Sequence, residues 1–134
     1  MIILENYITS LINELNSLPC YPGISKVSYE DIVAYENVLN KLPVDTVLQL
    51  DTDAGTELYC KLDNKAWKVI DAPWHQIKDK DVFKVAEWFA GREFIARSDI
   101  KSIGKDEFIK YLNKYINRDT STDSYDPYLF VRKR

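Results

Sequence analysis

Residues 44–70 read VDTVLQLDTDAGTELYCKLDNKAWKVI, and this stretch predicts three short β-strands. Apolar and β-branched residues dominate 46–50 and 66–70, while apolar and polar residues alternate across 57–62. Loops rich in Asp separate the runs, and Asp63-Asn64 is typical of a two-residue turn. Because strands with such short connections pair in antiparallel fashion, the stretch predicts a small β-meander.

Helical patterns flank this meander on both sides. Four helices are predicted, over residues 2–18, 28–43, 79–90 and from 104 onward. Ser28, with Asp31 three residues later, is close to a capping box, and Gly91 is typical of the end of a helix. The sequence therefore predicts an α+β domain, with a small antiparallel β-meander and about four helices packed around it.

The chain has 134 residues, a length that predicts one domain spanning residues 1–134. Near 118–126 the sequence is short and polar, which predicts a mobile linker. The apolar run within 127–134 is interpreted either as a terminal strand added to the sheet or as an arm that docks on a partner. The oligomeric state stays open at this point.

The charge balance is mildly acidic, with 18 Lys and Arg residues against 21 Asp and Glu residues. A general nucleic-acid-binding protein shows a basic face and a high pI, so this composition disfavours nucleic acid as the partner. A net charge of −3 fits a basic protein partner better, although it is also ordinary for a protein that stays in solution.

Neither a membrane span nor a secretory leader is evident in the sequence. No apolar run approaches the roughly 20 residues that a membrane helix needs, and Glu5 and Asn6 interrupt the apolar start of the chain. The expected location is the cytoplasm, where Cys20 and Cys60 stay reduced, with Cys60 as a buried thiol. Whether the two cysteines pair is left open.

An acidic loop from Asp51 to Glu57 is the main candidate for chemistry. Carboxylates on a turn can converge on Mg²⁺ or Ca²⁺, which prefer several oxygen ligands. An EF-hand loop starting at Asp51 would need a Glu at position 62, where this chain has Leu, and the Asp-x-Asp-Gly-Thr start of haloacid dehalogenase phosphatases is interrupted by Ala54. The alternative is a hairpin loop whose Asp and Gly residues simply favour turns.

The remaining catalytic patterns are absent from the sequence. His75 is the only histidine, which disfavours a zinc site built on imidazole, and it is interpreted as a loop or partly buried residue. No Gly-rich phosphate-binding loop and no Gly-x-Ser-x-Gly motif occur. The sequence therefore predicts no catalytic residues, no metal ligands and no cofactor.

Aromatic side chains suggest a binding surface. Leu58, Cys60 and Leu62 predict a dry face of the second strand, and they alternate with Glu57, Tyr59 and Lys61, which predict a wetter face. Trp67 of the third strand could join Tyr59 on that wetter face. On an open face these rings would anchor a partner protein or stack on RNA bases. If a helix covers that face, they are core residues instead.

Scattered segments resemble the SUKH superfamily. Ser28-Tyr-Glu-Asp-Ile32, Glu36, Leu39 and Leu42-Pro43 are similar to its opening pattern Ser-x-Glu-x-Ile…Glu…Leu…Leu-Pro, and 108–112 is similar to its closing helix. The Asn-Gly-Gly signature of that superfamily is absent here. Many members are bacterial immunity proteins that neutralise nucleases or other toxins, so the resemblance implies an immunity protein.

Together these observations predict a protein-binding inhibitor, an immunity or antitoxin-like factor that occludes the active site of a toxin or enzyme. The predicted partner-binding residues are Asp51, Asp53, Glu57, Tyr59, Trp67 and Trp74. The carboxylates would steer the encounter with a basic partner, and the aromatic rings would anchor it. The alternative is a small Mg²⁺-dependent phosphoesterase that uses the Asp51 and Asp53 loop.

Overall fold

The computed structural model describes residues 2–72, 75–93 and 99–118. The elements follow one another as α1 (Ile2–Ser17), a 3-10 turn (Ile24–Lys26), α2 (Tyr29–Lys41), β1 (Val47–Thr52), β2 (Gly55–Lys61), β3 (Ala66–Ile70), β4 (Ile77–Asp81), α3 (Val82–Ala90), β5 (Lys101–Ile103) and α4 (Lys105–Arg118). Within these ranges four α-helices accompany one five-stranded antiparallel sheet, which confirms the α+β prediction. The predicted linker beyond Arg118 and the predicted terminal strand or arm lie outside the described residues.

The strand order in the sheet is β4-β3-β2-β1-β5. Strands β1 to β4 form the predicted meander, extended by one strand, and β5 pairs with β1 at the opposite edge. Residue pairs such as Val47 with Cys60 and Leu48 with Tyr59 set the register of the central hairpin. Directly paired residues point to the same side of the sheet, so this register decides which side chains share a face.

Helices cover both faces of the sheet. One face carries Leu48, Leu50, Tyr59, Trp67 and Val69 and packs against α1, α2 and α3. The other carries Val47, Leu58, Cys60 and Ile70 and packs against Phe108 and Leu112 of α4. The expectation that Glu57, Tyr59 and Lys61 form a wetter face is therefore wrong, because helices bury that face as well.

Two helix starts follow local sequence signals. The Ser28 hydroxyl accepts a hydrogen bond from the Asp31 amide, and the Asp31 carboxylate accepts one from the Ser28 amide, which completes the capping box. Helix α3 starts at Val82, after the predicted start near Asp79, and the Asp81 carboxylate caps it by accepting from the Lys84 amide. The difference arises because residues 77–81 pair with β3 as a fourth strand.

The turn between β2 and β3 is longer than the two residues predicted. Strand β2 ends at Lys61 and β3 begins at Ala66, which leaves four connecting residues, 62–65. The Asp63 carboxylate accepts hydrogen bonds from the amides of Lys65 and Ala66, both at 2.9 Å. An Asx turn of this kind satisfies the loop amides and makes a tight two-residue turn unnecessary.

Lys61 joins the sheet to the end of α2. Its ammonium group donates to the main-chain oxygens of Leu39, Asn40 and Leu42 over 3.0, 3.1 and 2.7 Å. These oxygens belong to the C-terminal end of the helix, where carbonyls lack intrahelical partners. Lys61 is 1% exposed, and burial lowers the pKa of its ammonium group. The Lys61 charge therefore stabilises the C-terminal end of α2 and is not presented to solvent.

Two further features concern the state of the cysteines and the length of the helices. Cys20 and Cys60 are not joined by a disulfide. Cys60 is buried, as predicted, and lies between the sheet and α4. Among the described residues, no helix has both the length and the apolar character required to cross a membrane.

Candidate functional site

The acidic stretch forms the end of a hairpin whose connection is shorter than predicted. Strand β1 continues to Thr52 and β2 begins at Gly55, so only Asp53 and Ala54 connect them. The Thr52 hydroxyl donates to the Gly55 carbonyl over 2.7 Å and accepts from the Ala54 amide over 3.1 Å. The expectation of a seven-residue loop is wrong, because Asp51, Thr56 and Glu57 are strand residues.

Asp51 is held by groups within the sheet. Its carboxylate accepts hydrogen bonds from the Gln49 amide and the Thr56 hydroxyl, both at 3.0 Å, and the Lys101 ammonium lies 3.6 Å away. The hydrogen bond from Gln49 is the largest cause of a lowered pKa at Asp51, and the hydrogen bond from Thr56 is the second. The side chain remains 44% exposed, so part of its charge is presented to solvent.

Glu57 lies on the opposite face from Asp51. It pairs with Leu50, whereas Asp51 pairs with Thr56, and the two carboxylates therefore point to opposite sides of the sheet. Glu57 accepts a 2.7 Å hydrogen bond from the Tyr59 hydroxyl and a 3.4 Å bond from the Ala72 amide. Burial raises the pKa of Glu57. At 8% exposure it is buried, which corrects the expectation that it faces a partner.

Tyr59 and Trp67, the predicted aromatic binding surface, are also buried. Tyr59 is 2% exposed and meets Phe89 edge-to-face with ring centroids 4.9 Å apart, while Trp67 is fully buried. The indole N–H of Trp67 finds no hydrogen-bond acceptor among the described residues. The prediction that both rings anchor a partner or stack on RNA from an open sheet face is wrong, because α1, α2 and α3 pack over that face. Trp74 lies outside the described residues.

His75 lies beside the same hairpin. Its φ is 55°, a left-handed conformation that is uncommon for residues other than glycine. A Cβ built on Gly55 would lie 3.8 Å from His75 Nε2 and 3.4 Å from the Ala72 Cβ, so the connection after β3 passes close to the hairpin. His75 is half-buried, in agreement with its interpretation as a partly buried loop residue.

The hairpin does not gather its carboxylates into a metal site. In the described ranges no group of three or more His, Cys, Asp or Glu side chains is arranged to hold a metal ion. The physical reason is the register, which places Asp51 and Glu57 on different faces and leaves Asp53 at the exposed tip. The described part of the chain therefore offers the phosphoesterase alternative no convergent set of ligands.

Sequence reasoning missed an aromatic pair on the helices, in which one ring is exposed and the other is half-buried. Tyr29, the first residue of α2, is 70% exposed, and its ring lies 6.1 Å from that of Phe83, the second residue of α3. Phe83 is half-buried against the core. The available signal was that Tyr29 stands outside the apolar stripe that starts at Ile32, directly after the capping residue Ser28.

A groove of about 640 Å³ between α1 and β5 was missed as well. Glu5, Thr9, Asn13 and Asn16 line one wall, and Asp99, Lys101 and Ser102 line the other. The Asn16 amide N–H donates to the Ile100 carbonyl over 2.8 Å, and the Ile100 amide donates to Asn16 Oδ1 over 2.7 Å. A three-residue strand such as β5 is too short for its alternation to be recognised in the sequence.

Comparisons with protein-family models, with curated proteins and with solved structures find no match to this chain. The SUKH resemblance and the immunity function that it implies therefore stay predictions.

Proposed function

We propose that this chain is a protein-binding inhibitor, an immunity or antitoxin-like factor that acts in the cytoplasm by occluding the active site of a toxin or enzyme. The observation that carries the proposal is the exposed ring of Tyr29, which contacts the half-buried ring of Phe83. Tyrosine presents a large, rigid and partly polar ring at low entropic cost, and such rings are enriched at the centres of protein interfaces. A partner that covers Tyr29 would bury a ring that is 70% exposed in this chain.

The setting of Tyr29 suits an anchor. The capping box of Ser28 and Asp31 fixes the start of α2, and the ring contact with Phe83 ties that start to α3. A side chain on two mutually packed helices loses little freedom when a partner covers it. These helices, and not the sheet, offer the apolar part of the proposed interface.

Acidic groups at the hairpin supply the electrostatic part. Asp53 is exposed at the tip, and Asp51 remains partly exposed beside it. Charges of this kind raise the rate of encounter with a basic partner through the long-range field, even without direct contact in the complex. Glu57, Tyr59 and Trp67 are no longer part of the proposed interface because they are buried.

The test is an inhibition assay with candidate partners. The products of the genes adjacent to this one are tried first, since inhibitors are commonly encoded beside their targets. The wild-type chain should suppress the activity of one of them at equimolar concentration. Loss of a central aromatic anchor costs about 2 kcal/mol or more, so Tyr29→Ala should weaken the inhibition roughly thirtyfold.

Tyr7→Ala is the matched control, because Tyr7 is also an exposed helical tyrosine, with 46% of its surface accessible. It should inhibit as the wild type does. Asp53→Lys should slow association and reduce its dependence on salt. If none of the candidates is inhibited, or if Tyr29→Ala and Tyr7→Ala inhibit equally well, the proposed function is wrong.

A further inference from the structure

The geometry points to the groove between α1 and β5 as a docking site for an extended, basic peptide segment of the partner, which would add as a strand to β5, the edge strand of the sheet that the described residues form. This inference rests on the proposed protein-binding function and names a second contact surface within it. It is carried by the main chain of β5, by the polar stripe of α1 and by the charges around them.

Among the described residues, strand β5 is the edge of the sheet and pairs only with β1. Residues of an antiparallel strand alternate between bonding to one neighbour and to the other. The N–H and C=O of Ile100 point away from β1, because both bond to Asn16. Ser102, two residues along, therefore directs its own N–H and C=O outward, and Ser102 lines the groove.

Asn16 shows how α1 interacts with an extended backbone. Its amide group forms two hydrogen bonds with one residue, as a neighbouring strand would. Asn13, Thr9 and Glu5 continue along the groove wall at spacings of three or four residues, so they share one face of the helix. A peptide lying in the groove can thus bond to the Ser102 main chain on one side and to Asn13 and Thr9 on the other.

The two edge strands, β4 and β5, differ in the number of charged residues that they carry. The β4 edge carries Lys78, Asp79, Lys80 and Asp81 in succession, and such charged side chains discourage the pairing of another strand. Strand β5 carries one charged residue, Lys101, and its small residue Ser102 lies beside the groove. Strand addition is therefore expected at β5.

The charged residues that line the groove determine which charge a bound peptide should carry. Glu5 and Asp99 bring two carboxylates to the groove. Lys101 also lines the groove and has the opposite charge, but its ammonium group lies 3.6 Å from the Asp51 carboxylate, which offsets that charge. The groove thus favours Lys or Arg side chains on the bound segment.

The probe is a synthetic octapeptide of alternating Lys and Val, blocked at both ends, added to the full chain and followed by amide NMR. The Ser102 amide and the Asn13 side-chain amide should shift on titration, and the Ser102 amide should become protected from hydrogen exchange. A matched peptide of alternating Glu and Val should bind at least about tenfold more weakly. Equal binding of the two peptides, or shifts confined to another surface, would overturn the inference.

Variants at one position separate main-chain from side-chain recognition. Ser102→Pro removes the outward N–H but leaves the bonds between β5 and β1, so peptide binding should weaken about tenfold. Ser102→Ala keeps the N–H and should bind within about twofold of wild type. If Ser102→Pro fails to fold, a peptide N-methylated at alternate residues is titrated into the wild type instead, and undiminished binding would refute strand addition.

The unliganded chain provides the last check. Protection of the Ser102 amide without peptide that grows with protein concentration would assign the groove to a second copy, and protection independent of concentration would assign it to the chain's own residues 119–134. Either result overturns docking of a foreign segment. Inhibition lost in Tyr29→Ala but kept in Ser102→Pro would refute this groove alone, whereas peptide binding without inhibition of any partner would refute the proposed function alone.

Discussion

Arg92 donates a hydrogen bond from Nη1 to the phenolic oxygen of Tyr35 over 2.7 Å, and both residues are buried. The Tyr35 hydroxyl is directed at the carbonyl oxygens of Leu18 and Pro19, at 3.1 and 3.0 Å. Arg92 also donates to the Phe89 carbonyl over 3.0 Å. One phenol thus links the segment after α1, the middle of α2 and the end of α3.

Tyr35→Phe should destabilise the fold by about 1–3 kcal/mol. The change keeps the ring but removes the oxygen, so Arg92 loses one acceptor and the carbonyls of Leu18 and Pro19 lose the hydroxyl that they share. Urea unfolding at neutral pH measures the loss. Tyr7→Phe is the control, because the Tyr7 hydroxyl is exposed and makes a longer 3.3 Å bond to the Lys41 carbonyl, and it should change stability by less than about 0.5 kcal/mol. Equal losses in the two variants would contradict the role given to this network.

Local signals explain why parts of the fold were predictable. The capping box at Ser28 needs only residues three positions apart, and the thiol of Cys60 was placed by alternation along one strand. Such features depend on neighbours in the sequence. They do not depend on how distant segments of the chain pack.

The predicted site failed where distant elements decide the outcome. Alternation placed Tyr59 and Trp67 on one face correctly, since Lys61 pairs with Trp67 and Tyr59 with Val69. It could not show that α1, α2 and α3 cover that face, because helix packing is a long-range property. Similarly, Lys78 to Asp81 has the composition of a helix start, and only the pairing with β3 makes it a strand.

The hairpin register explains the separated carboxylates. Asp51 and Glu57 are six residues apart, and in one continuous strand they would share a face. A two-residue turn at Asp53-Ala54 reverses this, because Asp51 then pairs with Thr56 and Glu57 pairs with Leu50. The length of a turn, which sequence predicts poorly, thus decided whether a metal site could form.

Glu57→Gln should make the stability of the protein less dependent on pH. The pKa of Glu57 is raised by burial above its usual 4.5, so the folded protein binds this proton more tightly than the unfolded chain does. The contribution of Glu57 to stability is therefore greatest below pH 4.5 and is lost as the pH rises through its folded pKa. Glutamine keeps an acceptor for the Tyr59 hydroxyl, so the variant should gain on the wild type as the pH rises from 4 to 7.

Asp51→Asn is the control of opposite sign. Hydrogen bonds from Gln49 and Thr56 lower the pKa of Asp51 below its usual 3.8, so its stabilisation is present above pH 3.8 and is lost as the pH falls further. This variant should be less stable than the wild type at pH 7 and approach it near pH 3. Urea unfolding at a series of pH values from 3 to 8 measures both. Parallel pH curves for Glu57→Gln and the wild type would show that Glu57 is not buried as described.

Gly55→Ala should destabilise the hairpin by about 1–3 kcal/mol, because Gly55 has a φ of 136°, a conformation that residues with a Cβ rarely adopt. The added methyl would lie 3.4 Å from the Ala72 Cβ, an ordinary contact, so backbone strain is the expected cause. Gly104→Ala is the control, since a Cβ there meets nothing within 4 Å, and it should cost less than about 1 kcal/mol through the change at the start of α4. Thermal unfolding compares the two variants, and an equal or smaller loss for Gly55→Ala would show that the tight turn at Asp53-Ala54 does not depend on glycine.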